Sequence, residues 1–152
     1  MKIQFATTDE QMLKYRKTIL ELRPHISETE YLEKAKLLLS EGAKMIYVDE
    51  GTDAPAVSVF RINYYFYRGK NVYIDDLGTH STQRGKGYAG ALLDFVIGYA
   101  KENECANIHL DSGYHKERYD AHRLYLNKGF NLTSHHFSLD LILRKDYTDN
   151  NR

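Results

Sequence analysis

The sequence has little cysteine, no tryptophan and no long apolar run. Cys105 is its single cysteine, which excludes an intrachain disulfide, a four-cysteine zinc site and a Cys2His2 site. The seven histidines fall at no carboxylate–histidine spacing that marks a metal motif, so no metal is expected. No apolar run approaches the ~20 residues that cross a bilayer, and the N-terminus lacks a signal-peptide core. The expectation is therefore a cytoplasmic protein with no membrane partner. Charge of one sign is also missing: Lys plus Arg and Asp plus Glu both number 21, so no global field favours nucleic acid. Tryptophan is absent, and thirteen tyrosines supply most of the aromatic mass. A length of 152 residues suits one domain with a sizeable core. That domain is expected over residues 1–147, followed by a polar tail at 148–152.

Local signals lay out the elements. Residues 3–6 read as a short strand. Thr8 with Gln11 forms a capping box for a first helix to about Leu22, with Asp9 and Glu10 in its opening turn. Pro24 breaks it. Ser27 with Glu30 caps a second helix to about Ser40, and Gly42 stops that one. Strand-like runs follow at 43–48, 55–67 and 72–79, with a hairpin turn expected at 68–71. Tyr88, Ala91, Leu92, Phe95, Val96 and Tyr99 recur at helical spacing, giving a third helix to about Asn103. A strand at 106–110, a helix at 117–128 and two alternating strands at 130–133 and 136–143 close the chain. The order β-α-α-β-β-β-α-β-α-β-β predicts a mixed α+β fold with a mostly antiparallel twisted sheet flanked by about four helices.

The chemistry concentrates in Gln83-Arg84-Gly85-Lys86-Gly87-Tyr88-Ala89-Gly90. Two cations and two glycines precede a helix start, where free N–H groups and the helix dipole attract phosphate. Gly85-x-Gly87-x-x-Gly90 also spells a dinucleotide fingerprint, with Asp111 at the distance of a ribose-binding acid. Three features oppose that reading. Polar residues 80–84 separate the loop from the strand before it, that strand belongs to an antiparallel meander, and too little chain follows Gly113 for a doubly wound sheet. A Walker loop is excluded because no Gly-Lys-Ser/Thr is present.

Arg84-Gly85-Lys86-Gly87-Tyr88-Ala89 instead resembles the Arg/Gln-x-x-Gly-x-Gly/Ala signature of the GNAT (GCN5-related) N-acetyltransferases. Val72-Tyr73-Ile74-Asp75-Asp76-Leu77-Gly78-Thr79 resembles that family's fourth strand. Ala121-His122-Arg123-Leu124-Tyr125-Leu126-Asn127-Lys128-Gly129-Phe130 resembles its Ala-x-x-x-Tyr-x-x-x-Gly-Phe block. Three blocks in order at the family's spacing make the resemblance specific; the first 50 residues share only the helix pattern. The resemblance implies acetyl-CoA as donor and a primary amine, on a small molecule or a peptide, as acceptor. Arg84, Lys86 and the backbone from Gly85 through Gly87, Tyr88 and Ala89 to Gly90 are the implied pyrophosphate site. Leu77, Gly78 and Thr79 are the implied partners of the pantetheine arm, with Gly78 suited to a bulge.

The same resemblance makes Tyr125 the acid that protonates the departing thiolate, as a phenol of pKa ~10 can at neutral pH. An amine of pKa ~10.4 needs about 4.6 kcal/mol to reach its neutral form at pH 7, so a nearby base is useful. Asp75 and Asp76 are the candidates, expected on opposite faces of a strand. Asp75 aligns with the acidic position some members use, and His109 is a rarer alternative. Where the family often has asparagine, seven residues before the tyrosine, this chain has Arg118. The alternative to an enzyme is a non-catalytic acyl-CoA-binding or partner-regulating module. The aromatic run Tyr64-Tyr65-Phe66-Tyr67 is a candidate homodimer surface.

Overall fold

The computed structural model describes residues 1–142, which divide into a unit from Met1 to Leu110 and a second unit beginning at Asp111. The first unit is built on five strands in the order β1-β2-β3-β4-β5. These are β1 (Ile3–Phe5), β2 (Lys44–Val48), β3 (Ala56–Tyr65), β4 (Gly69–Thr79) and β5 (Asn107–Leu110). The first four pair antiparallel in turn, and β5 joins β4 in parallel after a helical crossover. The mixed, mostly antiparallel sheet agrees with the fold class expected from the sequence.

Two helices cover one face, α1 (Asp9–Leu22) and α2 (Glu28–Ser40). Met12, Tyr15 and Ile19 of α1 and Tyr31 and Ala35 of α2 pack on Met45, Tyr47, Val57 and Val59 of the sheet. The Tyr31 hydroxyl donates to the Met12 carbonyl at 2.6 Å and joins the two helices. The opposite face takes α3 (Tyr88–Glu102), where Phe95 and Tyr99 meet Phe5 and Phe60 edge to face. Both expected capping boxes form. In α1 the Thr8 hydroxyl accepts from the Gln11 N–H at 3.3 Å, while the Gln11 side chain accepts from the Thr8 N–H at 3.2 Å. Thr8→Ala removes the hydroxyl acceptor and leaves the backbone N–H to Gln11. It is expected to cost about 1 kcal/mol and lower Tm by about 2–4 °C in a thermal melt.

Two local differences from the sequence expectation have clear causes. The β3–β4 hairpin turns at residues 66–68 rather than 68–71, because Gly69 takes φ +68° and pairs with Tyr65. A left-handed glycine closing a three-residue loop is a standard hairpin geometry. The bulge lies at Asp75, not Gly78: Val59 faces Asp76 and Phe60 faces Ile74, so Asp75 is the extra residue. Gly78 stays in register opposite Val57. Its missing side chain admits Leu22 of α1, since a Cβ there would lie 3.0 Å from Leu22 Cδ2.

The second unit contains a 3-10 turn at Lys116–Arg118 leading into α4 (Tyr119–Asn127), which ends at Gly129 with φ +93°. The two closing strands expected at 130–133 and 136–143 do not form among the described residues; Leu143 lies outside them. The alternation of the second is real, but Phe137, Leu139 and Leu141 are 92, 84 and 89 % exposed. A period of two only makes a strand where a neighbour takes its hydrogen bonds and apolar face. No helix among the described residues is long and apolar enough to cross a membrane.

Candidate active site

The glycine loop is shaped at its entry by long-range contacts. His80 follows β4, and a 3-10 turn, Ser81–Gln83, leads into Arg84. Glu21 of α1 anchors this turn: it accepts from the Ser81 N–H at 2.7 Å and the Ser81 hydroxyl at 2.9 Å, and lies 3.1 Å from His80 Nε2. Gly85 and Gly87 then take φ +80° and +81°, a region other residues enter only with strain. A Cβ at either would meet nothing within 4 Å beyond its chain neighbours.

Gly87 is the N-cap of α3 and offers no side chain to it, in contrast to the full boxes on α1 and α2. The first intrahelical bond runs from the Ala91 N–H to the Gly87 carbonyl at 3.0 Å. The N–H groups of Tyr88, Ala89 and Gly90 thus have no intrahelical acceptor, at the positive end of a 15-residue helix. Arg84 is exposed beside them. The Lys86 ammonium folds back instead and donates to Gln83 Oε1 at 2.7 Å, leaving its backbone to the loop. The Tyr88 hydroxyl donates to Glu50 at 3.4 Å. The loop thus brings the exposed Arg84 and three helix N–H groups without intrahelical acceptors to one turn.

Leu77, Gly78 and Thr79 form the end of β4, one short turn before this loop. They pair with Ser58, Val57 and Ala56 on one edge. On the other edge the β4–β5 ladder stops at Ile74 opposite Leu110, so no strand of the first unit pairs with Leu77–Thr79 there. An edge of this kind offers backbone donors and acceptors to an extended ligand.

The bulge changes the reading of the two aspartates. Asp76 sits opposite Val59, and Asp75 reaches Arg61, two residues further along the same face of β3. Both carboxylates therefore face α1 and α2, rather than opposite sides. Asp75 is gripped by Arg61, whose Nε lies 3.0 and 3.1 Å from its two oxygens and whose Nη2 adds a further bond. Asp76 accepts from Arg23 Nε at 2.6 Å, from the residue that ends α1. Burial pushes the Asp76 carboxyl above the usual carboxylate range despite the opposing Arg23 charge. The Tyr15 hydroxyl, fully buried close by, has no hydrogen-bond partner and is raised by burial and then by the Asp76 charge. Beside Asp75 runs an open groove of about 450 Å³ lined by Arg61, Asn63, Tyr65, Arg68 and Tyr73. Arg68 stands over the rings of Tyr65 and Tyr67 at 5.7 and 5.1 Å. His109 of β5 is hydrogen-bonded to Asn107 Oδ1 at 2.7 Å.

In the second unit Tyr125 is 8 % exposed on α4, and its ring lies 6.1 Å from that of Phe130. Its hydroxyl accepts from Arg118 Nη2 at 3.4 Å. Burial raises the phenol above its ordinary value, while the Arg118 charge and hydrogen bond pull it down. The contacts that sequence reasoning missed are those of Glu21, Arg23 and Arg61. Each acts across 14 to 60 positions of chain, and no local spacing marks such a pair. Among the described residues no cluster of three or more His, Cys, Asp or Glu is placed to hold a metal ion.

Comparison with known proteins bears on the family and the fold. The model of the acetyltransferase (GNAT) family matches residues 10–130. An uncharacterized N-acetyltransferase of Bacillus subtilis (strain 168), YhdJ, is 30 % identical over 119 residues, which is 77 % of this chain and 82 % of that protein. Among solved structures, a ribosomal-protein-alanine N-acetyltransferase from Brucella melitensis biovar Abortus 2308 superposes with a TM-score of 0.77 at 16 % identity. The match covers 93 % of this chain and 100 % of that one. AAC(6')-Iy, solved with the bisubstrate analogue CoA-S-monomethyl-acetylneamine, gives a TM-score of 0.78 at 14 % identity, over 93 % and 98 % of the two chains. At such identities these two structures are alike in fold alone.

Proposed function

Because the chain belongs to the GNAT acetyltransferase family, we propose that it transfers the acetyl group of acetyl-CoA directly to a primary amine of a small molecule or peptide. The observation that carries this reading is the uncapped start of α3: three N–H groups, two left-handed glycines and Arg84 around one turn. A pyrophosphate carries the charge and the acceptor oxygens such a turn satisfies. The free edge of Leu77–Thr79 suits the extended, amide-bearing pantetheine arm. One N–H of that edge is the oxyanion donor for the thioester carbonyl.

The amine must arrive neutral, or lose its proton to the protein. Asp76 is the better of the two candidate bases, since burial raises its basicity whereas Asp75 is held from both oxygens by Arg61. Asp75 then serves to fix Arg61 at the groove. Attack of the amine nitrogen on the thioester carbon gives a tetrahedral centre. Its collapse breaks the C–S bond, and Tyr125 supplies the proton that the sulfur takes up.

Asp76→Asn is expected to lower kcat/KM by about 10²-fold, the usual contribution of a positioned base. Activity that needs ionised Asp76 falls as pH drops through a pKa raised above the ordinary carboxylate value. The variant should therefore lose the acid limb of the pH–rate profile as well as the rate. Asp75→Asn should keep that limb. An unchanged limb in Asp76→Asn would remove Asp76 from the role. The donor is tested separately by calorimetry: acetyl-CoA should bind with heat and raise Tm, and NADH should do neither.

A further inference from the structure

Tyr125 does not stand alone on its helix. Arg118 precedes it by seven residues, at the start of α4, and directs Nη2 at the phenol oxygen from 3.4 Å. The guanidinium is itself held: its Nε donates to Ser112 Oγ at 3.2 Å, and Ser112 Oγ lies 3.1 Å from His122 Nε2 on the next turn of the helix. The hydroxyl accepts from arginine and has one hydrogen left for the imidazole, so a single serine links both side chains. Arg118 has no carboxylate partner among the described residues, and its charge is spent on two hydroxyl groups.

We propose that Arg118 is a positioning residue for Tyr125, stabilising the phenolate formed when Tyr125 protonates the departing thiolate. The inference rests on the reading of Tyr125 as the acid. Burial makes the phenol a weaker acid, yet its proton must pass to a sulfur whose conjugate thiol has a pKa of roughly 8.5. That transfer is uphill for a buried tyrosine without help. A cation fixed on the phenol oxygen favours the anion and shortens the climb. In the step itself the C–S bond breaks and its electron pair goes to sulfur. The O–H bond of Tyr125 breaks as S–H forms, and the phenolate beside Arg118 regains a proton from solvent. Of the two protons the acceptor ammonium loses overall, one is balanced by the thiol and one is released.

A double-mutant cycle of Arg118→Gln and Tyr125→Phe tests this, with Arg118→Lys as the conservative variant. Arg118→Gln should lower kcat about tenfold, the scale of one charged hydrogen bond, with acetyl-CoA Kd by calorimetry unchanged. Arg118→Lys should recover part of the loss. In the Tyr125→Phe background the Arg118→Gln substitution should have no further effect on kcat. Without any ligand, NMR of ring-labelled tyrosine should show Tyr125 ionising at higher pH in Arg118→Gln than in the parent. An equal kcat loss in both backgrounds would overturn the proposal while leaving Tyr125 as the acid. A weakened acetyl-CoA Kd with unchanged kcat would also overturn it and make Arg118 a ligand-binding residue. Full activity in Tyr125→Phe would instead remove the reading of Tyr125, and the proposal with it.

Discussion

Gly87→Val is expected to raise the Kd of acetyl-CoA at least tenfold while leaving a folded protein. Gly87 holds φ +81° and ψ 5°, and a β-branched residue there carries roughly 1–3 kcal/mol of backbone strain. A Cβ there would meet nothing within 4 Å beyond its chain neighbours, so the protein leaves room for the side chain beside the turn proposed to hold the phosphate. Either response harms binding. If the loop keeps its shape the isopropyl group blocks the anion, and if it relaxes the N–H groups of Tyr88, Ala89 and Gly90 lose their common aim. Gly42→Val is the matched control: φ +93°, equally open surroundings, and a place at the end of α2. It should lose comparable stability in a thermal melt and keep its affinity for acetyl-CoA. Equal affinity in both variants would take the loop out of the binding site.

Tyr125→Phe is expected to lower kcat by about 10²-fold with little change in acetyl-CoA Kd, as for loss of a general acid. The substitution keeps the ring and its contact with Phe130 and removes only the hydroxyl that Arg118 meets. Arg118 retains its hydrogen bond to Ser112. The sign of the pH dependence follows from the phenol being the active form. Burial raises its pKa, which keeps it protonated throughout the neutral range, and activity is lost only as pH rises through that raised value. A variant with full turnover would assign the proton to solvent.

Local chemistry was legible in the sequence, and chemistry made by register was not. Thr8 with Gln11 and Ser27 with Glu30 are self-contained pairs three residues apart, and both close as their spacing predicts. The glycine loop announces itself likewise, because positive φ and a helix start are properties of the segment itself. The two aspartates could not be read this way. Alternation places neighbours on opposite faces, but the bulge at Asp75 cancels the alternation, and it depends on how β3 meets β4. Neither Arg61 nor Arg23 carries any mark of the carboxylate it will hold. The hairpin turn lies at 66–68 instead of 68–71 because Gly69 pairs with Tyr65, so Phe66 and Tyr67 leave the expected strand and form the tip. The closing segment shows the converse failure. Phe137, Leu139 and Leu141 alternate as a strand does, yet alternation records only what a strand would bury if it had a neighbour.

The proposal rests on the uncapped start of α3 for its donor, and on the reaction for its acceptor. The most direct measurement is therefore a panel of small-molecule and peptide amines incubated with the protein and acetyl-CoA, with thiol release followed and the products weighed by mass spectrometry. The account predicts at least one amine that releases thiol in step with gain of a single acetyl group on nitrogen, and loss of both signals in Tyr125→Phe and Gly87→Val. Acetyl-CoA that binds and raises Tm, while no amine in the panel releases thiol above the protein-free rate, would contradict it and make the chain an acyl-CoA-binding module.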